Sequence, residues 1–408
     1  MKFTVPRETL QQAVEIIAPA IATRDWTPIC QTVQIIAGRD LVNFGASDGH
    51  LSIRASVPAQ RVDEMGGICV PGKAFVAVCK ESLRSEFIHF ALNGIKATVN
   101  SDRASWTSKT QKSELFPEFP EWTETYDFGR HLVEGLRKVV LSIGKTELAG
   151  VQLQGNNKNR FTVLTANQET ISRVTGIPGG PEEVLSLLIP DALVQQLLRL
   201  KPSTFCLHSN EKQIGADFEI DGVSVQLAHT KPTGKFPDLT AVFKHLEGKP
   251  KASISLPTQD LTYVCRVASC ISENSQGDPT LTITFNVHEQ VAEIETSAGD
   301  IHTYRETIPF EGTLPSDLTI EARPDTLAKF LGVIDEDSFH LEVLDNERQI
   351  RLWSTEGHDY LYSPYQVRFY KSPANNLSAR KPLRVSRAGN HKTGTYKGGT
   401  KSARLKTA

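Results

Sequence analysis

Few segments of this chain carry residue types at spacings that could do chemistry. Gly144-Lys145-Thr146 matches the end of a phosphate-binding P-loop, but that motif needs a glycine five residues before Gly144, where Val139 stands. The segment also ends a helical pattern, whereas a P-loop lysine opens a helix. We therefore do not expect a nucleotide site here.

Acidic and histidine-containing segments are the next candidates. Asp48-Gly49-His50 could be a fragment of a metal site or an acid/base pair, but Asp-Gly between two alternating runs is common hairpin chemistry, and we interpret it as a turn. Carboxylates two residues apart share one face of a strand, where they could hold a divalent metal for phosphodiester cleavage or simply be solvated. These pairs are Asp217 with Glu219 and Glu293 with Glu295. We prefer the solvated face and expect no metal ion or cofactor.

The cysteines and the hydropathy pattern together indicate the cellular compartment that we expect for the chain. No C-x-x-C pair suggests zinc or redox chemistry, and we expect reduced core residues. The six are Cys30, Cys69, Cys79, Cys206, Cys265 and Cys270. No run of 18 apolar residues and no leader pattern occurs, so a soluble cytoplasmic protein without a membrane partner is expected.

The elements that would position these residues recur with a long period. Leu115-Phe116-Pro117-Glu118-Phe119 and Gly234-Lys235-Phe236-Pro237-Asp238-Leu239 lie 120 residues apart, proline to proline, and Ser363-Pro364-Tyr365 is a weaker echo. In each block a strand, an amphipathic helix, two alternating strands, a second helix and further strands follow in the same order. This order predicts an α+β fold of three repeated domains, at 1–124, 125–249 and 250–370.

Two details of the repeated unit can be stated from the sequence. Each second helix opens at a proline, which suits the first helical position: Pro71, Pro190 and Pro324. The two strands between the helices are expected at 33–37 with 51–57, 151–153 with 161–174, and 281–285 with 291–308.

Charge is unevenly distributed along the chain. Residues 371–408 hold ten Lys/Arg and no Asp/Glu, which leaves 35 basic against 47 acidic residues, a charge of −12, in residues 1–370. The basic tail mixes Gly, Ser, Thr and Asn without an apolar period, so we expect it to be disordered.

The order and spacing of several motifs resemble the bacterial sliding clamp, the beta subunit of DNA polymerase III. They are Met1-Lys2-Phe3-Thr4-Val5, Phe116-Pro117 followed by Trp122, Gly234-Lys235-Phe236-Pro237-Asp238, and Tyr360-Leu361-Tyr362-Ser363-Pro364-Tyr365. The resemblance covers residues 1 to about 368. It implies three DNA-clamp domains per chain and a head-to-tail homodimeric ring lined by twelve helices. It also implies a non-enzymatic processivity factor that encircles double-stranded DNA in the cytoplasm, at the nucleoid.

The resemblance implies that cations on the helices face DNA through diffuse contacts to phosphates. Each of them could instead be an ordinary solvated helix position. The candidates are Arg24, Lys73, Lys80, Arg137, Lys138, Arg199, Lys201, Arg266 and Lys329.

A second implied site is an apolar pocket for short peptides of the replicative polymerase and the clamp loader. Carried over by position, its residues are Leu148, Thr165, Thr170, Pro237, Val242, Leu361, Ser363, Pro364 and Tyr365. The family's Thr-Asp-Gly-His-Arg-Leu is Thr165-Ala166-Asn167-Gln168-Glu169-Thr170 here, an arginine is Ala241, and a methionine is Ser363. We expect a pocket with altered peptide preference, as in a divergent or phage-encoded clamp.

Ring closure is expected to bring Trp106 of one chain against Cys270 and Ile271 of the other, although Trp106 could instead be a core residue. The basic tail could tether DNA, which we prefer, or dock on the acidic body of a neighbouring subunit. Two other functions stay open: a metal-dependent nuclease or phosphodiesterase that uses the strand carboxylates, and a clamp-derived interaction scaffold without a pore.

Overall fold

A computed structural model describes residues 1–370 apart from 24–26, 82, 146–147, 157–159, 180–184, 245, 247, 273–279, 299–301, 345–347 and 355–356. The basic tail, residues 371–408, lies outside the described residues. The α-helices of the described part are α1 (Arg7–Ile17), α2 (Gly72–Glu81), α3 (Arg130–Val139), α4 (Asp191–Leu200), α5 (Thr240–Lys244), α6 (Thr258–Ser272) and α7 (Pro324–Leu331).

The strands of the first repeated unit are β1 (Lys2–Pro6), β2 (Thr32–Ala37), β3 (Leu41–Ser47), β4 (Leu51–Pro58), β5 (Arg61–Glu64), β6 (Gly66–Pro71), β7 (Phe87–Asn93), β8 (Lys96–Asn100), β9 (Ser105–Lys109) and β10 (Gln111–Lys112). Those of the second are β11 (Glu124–Gly129), β12 (Gly150–Asn156), β13 (Arg160–Ala166), β14 (Thr170–Pro178), β15 (Ser186–Pro190), β16 (Thr204–Ser209), β17 (Gln213–Ile220) and β18 (Val223–Thr230). Those of the third are β19 (Ala252–Pro257), β20 (Thr280–Asn286), β21 (Val291–Ala298), β22 (His302–Pro309), β23 (Glu311–Thr313), β24 (Asp317–Ala322), β25 (Ser338–Val343), β26 (Ile350–Trp353), β27 (His358–Tyr362) and β28 (Gln366–Tyr370).

All pairings between the described strands are antiparallel, in four sheets. Two sheets have five strands, in the orders β5-β1-β7-β8-β9 and β22-β21-β20-β24-β28. Two have nine, in the orders β10-β6-β2-β3-β4-β18-β17-β16-β11 and β15-β12-β13-β14-β27-β26-β25-β19-β23. Each nine-stranded sheet therefore crosses from one repeated unit to the next, through β4 with β18 and through β14 with β27. We call these contacts the first and the second junction.

Two helices in each unit lie against the sheets, and they contact each other as α1 with α2, α3 with α4 and α6 with α7. The apolar stripe of α1 explains its position, because Leu10, Ala13, Val14, Ile16 and Ile17 are all buried on one side. Antiparallel sheets with segregated helices make the α+β architecture that the sequence predicts. The order of elements recurs three times.

Two local predictions need correction. In the described part, the first unit has five strands between its paired helices (β2 to β6), the second has four (β12 to β15) and the third has five (β20 to β24), instead of two. The prediction missed β3, and the expected ranges 161–174 and 291–308 each include parts of two strands. Only Pro324 occupies a first helical position. Pro71 and Pro190 end the preceding strands β6 and β15, since the fixed φ of proline suits extended backbone equally well.

The Asp48-Gly49-His50 turn is confirmed. The carboxylate of Asp48 accepts hydrogen bonds from the backbone N–H groups of His50 and Leu51, both at 2.8 Å. Gly49 has a φ of +95°, which a side chain would oppose. The turn joins β3 to β4 and leaves the carboxylate occupied by the backbone.

Candidate functional surfaces

The cations singled out from the sequence lie on the paired helices or directly after them. Arg24 lies outside the described residues. Six of the others are exposed: Lys73 and Lys80 on α2, Arg199 on α4, Lys201 after it, Arg266 on α6 and Lys329 on α7. Every helix pair therefore carries exposed positive charge, as a diffuse phosphate-facing surface requires.

Some of these cations also hold the fold together. Arg199 donates to the backbone oxygens of Glu15 and Ile16, at 3.3 and 2.9 Å. These two carbonyls lie in the last turn of α1, where helix carbonyls lack intrahelical partners and favour a cation. Partial burial lowers the pKa of Arg199, but a guanidinium stays charged at neutral pH. Lys80 pairs with the Glu15 carboxylate at 3.2 Å.

The two cations on α3 differ from the rest. Arg137 pairs with Asp335 at 2.8 Å, across the boundary between the second and third units. Lys138 is only 6% exposed, and burial lowers its pKa despite the nearby carboxylates of Glu336 and Asp335. Its burial separates Lys138 from the exposed set, and its charge lies close enough to lower the pKa of His358 on β27 in the second junction.

The expected pocket residues do not all lie on one surface. Thr165 and Thr170 are buried, and their hydroxyls donate to the Val139 oxygen at 2.6 Å and to the Ser142 hydroxyl at 2.9 Å. They fix the end of α3 against β13 and β14 and do not present side chains to solvent. Pro237 is exposed in the segment before α5.

Val242 and Leu361 do come together. They pack with the buried Leu246 and Leu344 and with the partly buried Ile171 and Phe243 in a small apolar cluster beside the second junction. Phe243 also covers the guanidinium of Arg173 at 3.9 Å from the ring centroid. Sequence reasoning missed Phe243, although its place after the second Phe-Pro motif parallels that of Phe119 after the first.

Two cavities are lined by residues close in sequence to Ile171 and Leu361 of this cluster. One, of about 520 Å³, is lined by Leu148 together with Ile143, Gly144, Lys145, Asn167, Gln168 and Glu169. The other, of about 600 Å³, is lined by Ser363, Pro364 and Tyr365 together with Arg348, Gln349, Gln366 and Val367. The N–H of Ser363 donates to the Glu169 oxygen at 3.0 Å, so the two linings meet at this bond. Apolar surface with a few fixed polar groups is typical of peptide-binding grooves.

The divergent turn beside these cavities is polar and internally hydrogen-bonded. The side-chain oxygen of Asn167 accepts from the N–H groups of Glu169 and Thr170, at 2.9 and 2.8 Å. The Glu169 carboxylate pairs with Arg323 at 3.0 Å and thereby connects β14 to the start of α7. The amide of Gln168, the carboxylate of Glu169 and the buried hydroxyl of Thr170 therefore replace the ring, the cation and the leucine that the resemblance implied.

Of the residues expected at a subunit interface, Trp106 lies on the edge strand β9, whereas Cys270 and Ile271 lie on α6. Trp106 is partly buried, 6.1 Å from the Phe75 ring, so it packs on its own core while lying on β9. Cys270 is exposed and Ile271 partly buried near the end of α6. Among the described strands, β9 and β22 each have one edge without a partner.

The described residues give no support to a metal-dependent nuclease or phosphodiesterase that uses the strand carboxylates. Asp217 is paired with His208 at 2.7 Å, and Glu295 with Arg305 at 3.1 Å. No group of three or more His, Cys, Asp or Glu with metal-binding geometry occurs in the described part. Within that same part, no helix is both long and apolar enough to span a bilayer.

All six cysteines lie outside any disulfide, but two are not core residues as expected. Cys270 is exposed, and Cys206 is half-buried on β16. The Cys206 thiol donates to Asp127 at 2.9 Å, and this hydrogen bond raises its pKa to about 12. Cys206 is therefore protonated and weakly nucleophilic at neutral pH.

Comparisons with known proteins agree with this architecture. Residues 1–120 match the family model described as DNA polymerase III beta subunit, N-terminal domain. The chain is 25% identical over 122 residues to a beta sliding clamp of Vibrio harveyi, covering 30% of this chain and 84% of that protein. It is 22% identical over 258 residues to the beta sliding clamp of Haemophilus influenzae, covering 59% of this chain and 68% of that protein.

Solved structures extend the similarity to nearly the whole described part. The DNA polymerase beta subunit of Streptococcus pyogenes superposes with a TM-score of 0.80 at 17% identity, over 90% of this chain and 100% of that one. The DNA polymerase sliding clamp of Bacillus subtilis superposes with a TM-score of 0.78 at 18% identity, over 91% and 100%. The chain has the fold of these proteins.

Proposed function

We propose that this chain, a divergent relative of the bacterial beta sliding clamps, acts as a DNA sliding clamp. Two copies close a ring around double-stranded DNA and tether the replicative polymerase through the groove beside the second junction. The observation that best supports this proposal is the threefold repeated unit, in which every helix pair bears exposed cations. The protein works without catalysis, in the cytoplasm on nucleoid DNA.

Ring closure follows from the repeat. In the first junction β4 pairs with β18, and in the second β14 pairs with β27. The third strand equivalent to β4 and β14 is β22, and the third strand equivalent to β18 and β27 is β9; both have an open edge. Pairing β22 of one copy with β9 of the next repeats the same contact, and two such contacts close a dimer. Trp106 then faces the third unit of the partner.

The charge distribution suits a ring that holds DNA by topology. An acidic body repels the polyanion from its exterior, while helix cations offer phosphate contacts without reading bases. We extend this role to the basic tail as a salt-sensitive DNA tether.

The test of topology compares circular with linear DNA. The chain is mixed with nicked plasmid below its dimer dissociation constant and then concentrated, so that rings close around the DNA. Gel filtration in moderate salt should retain protein on the circle and lose it after one restriction cut. Retention on the linearised plasmid would contradict encirclement, and magnesium-dependent cleavage of a labelled duplex would favour the nuclease.

Charge reversal on the helices tests whether their cations face DNA. Reversing Lys73, Arg266 and Lys329 to Glu should weaken DNA association and reduce the slope of log K against log salt by about one per lost phosphate contact. Exposed cations on strands or strand turns, Lys96, Lys212 and Arg368, provide a matched reversal with equal charge change. Equal loss in both variants would show that net charge alone matters and that the helices do not face DNA.

The groove is proposed to bind peptides of the polymerase and of a clamp loader, with an altered preference. A fluorescent peptide ending in Leu and Phe should bind weakly, and Leu148→Glu should abolish this binding because a charge then enters the apolar cavity. Leu41→Glu is the control, since Leu41 is also an accessible leucine, 47% exposed, but lies on β3 of the first unit, outside both cavity linings. Unchanged binding by L148E would remove the groove assignment.

A further inference from the structure

An arginine recurs at one position of three equivalent strands. Its position follows from strand register, counted outward from the first strand after the helix in each unit. In the first unit Ile35 pairs with Phe44, which pairs with Ala55 on the next strand. In the second unit Leu153 pairs with Val163, which pairs with Val174. In the third unit Ile283 pairs with Ile294, which pairs with Glu306. The residue just before the last of each series is Arg54, Arg173 and Arg305.

The strands that receive these arginines can be aligned in the same way. In the first unit Phe90 pairs with Val99, which pairs with Trp106 on the next strand. In the second unit Leu207 pairs with Ala216, which pairs with Leu227. In the third unit Leu341 pairs with Leu352, which pairs with Tyr360. The residue just before the last of each series is Ser105, Gln226 and Asp359.

Both junctions within the chain pair these two positions directly. Arg54 lies opposite Gln226, with 3.4 Å between the Arg54 Nη1 and Gln226 Oε1 atoms. Arg173 lies opposite Asp359, with 2.6 Å between Arg173 Nη2 and Asp359 Oδ2. The repeat therefore assigns Ser105 as the residue opposite Arg305.

Within one chain Arg305 and Ser105 lie on the two open edges. Arg305 is 75% exposed and pairs with Glu295 on the neighbouring strand. Ser105 is exposed, and its hydroxyl donates to Asn100 at 2.7 Å. Neither contact buries the groups, so both are available to a facing strand at little cost.

We propose that Arg305 is the docking arginine of the junction between subunits and faces Ser105 of the second copy. Asp359 offers a carboxylate and Gln226 an amide, whereas Ser105 offers a short hydroxyl. The arginine of the junction between subunits thus has the weakest of the three acceptors, at the contact that must separate when the ring opens. This inference rests on the proposed function, because it requires the head-to-tail ring.

A double-mutant cycle on the full chain tests the pairing. The dimer dissociation constant is measured by sedimentation velocity for the native chain, R305A, S105D and the double variant. R305A should raise the constant about three- to tenfold, and S105D should lower it by a similar factor at low salt, since it recreates the acceptor found in the second junction. In the R305A background, S105D should give no gain.

R61A is the matched control. Arg61 also has a side chain 75% exposed and pairs with a carboxylate, but it lies on β5, at the opposite edge of the sheet that contains β9. It should leave the dissociation constant unchanged. A gain from S105D that persists without Arg305, or an R305A effect no larger than that of R61A, would overturn the pairing while leaving the ring intact. A native chain that stays monomeric at micromolar concentration would overturn the ring itself and the pairing with it.

Discussion

The two junctions within the chain share a backbone arrangement but use different interactions. At the first, one continuous apolar core runs through both units, and Arg54 meets the neutral amide of Gln226. At the second, the core of the third unit is separate, and charged groups lie between the units. The Asp359 carboxylate bridges two guanidinium groups there, Arg173 at 2.6 Å and Arg351 at 2.6 Å.

The difference teaches that one strand pairing can be held by burial or by charge. Apolar burial is nondirectional and insensitive to pH. A partly buried ionic network is specific in geometry, but removal of one member leaves desolvated charges behind. The second junction should therefore respond to single substitutions and to acid, and the first should not.

Loss of the central carboxylate should break the second junction most strongly. In Asp359→Ala, the side chains of Arg173 and Arg351 lose their shared partner, and opening of β27 should become easier by about 3 kcal/mol. Hydrogen exchange of the β27 amides measures this. Gln226→Ala is the matched change in the first junction and should loosen β18 by about 1 kcal/mol or less. Equal loosening of both strands would contradict the contrast.

Acid should loosen the second junction through His358. This side chain is fully buried, lies 3.0 Å from the Ser172 hydroxyl, and burial lowers its pKa to about 4. The charged groups around it are Lys138, Arg137, Asp359 and Glu336. Because the folded pKa lies below the unfolded value of about 6.5, the opened state gains a proton first.

Protection of the β27 amides should therefore be constant above about pH 7 and fall between about pH 6.5 and pH 4, by an amount on the order of 3 kcal/mol at the acid end. His358→Gln should remove this slope, because glutamine does not titrate. The β18 amides around Gln226 give an internal reference. A slope that survives in H358Q would assign the acid response to the carboxylates.

The sequence predicts the repeated helices well, because their apolar spacing is local. It does not predict how the junctions are held. Arg173 and Asp359 lie 186 positions apart, and nothing in their own neighbourhoods marks them as partners. The junction arginines do leave a signal, since Arg54, Arg173 and Arg305 each precede a proline by four or five residues, and an aligned repeat would have found them.

The groove was predicted only in part, for a physical reason. Resemblance transfers a position but not the orientation of its side chain. Thr165 and Thr170 keep their places on β13 and β14, yet their hydroxyls satisfy groups at the end of α3. Leu148 does line one of the two cavities, and Val242 packs against the buried Leu361 in the apolar cluster.

The aromatic covers of the two arginines offer a smaller contrast. Phe243→Ala removes the ring over Arg173 and opens the cluster around Leu361, so β27 should lose about 2 kcal/mol of protection. Phe119→Ala removes the ring that lies 4.2 Å from Arg54 and should cost about 1 kcal/mol, since the continuous core beneath it stays packed. A larger loss for F119A than for F243A would show that the first junction, and not the second, depends more on the aromatic ring over its arginine.

The smallest expected effect converts the first junction toward the second. Gln226→Glu keeps the side-chain shape and places a carboxylate oxygen 3.4 Å from Arg54, whose pKa burial lowers and which forms no ion pair within the described residues. The gain should stay below about 1 kcal/mol, because Asp217 lies directly opposite residue 226 and repels the new charge. Urea unfolding at low and high salt would show the gain only at low salt, and Arg54→Met should abolish it. A gain in stability that persists in R54M would show that the new carboxylate at residue 226 acts through a group other than Arg54. The stability of the first junction would then not depend on the charge of the residue opposite Arg54.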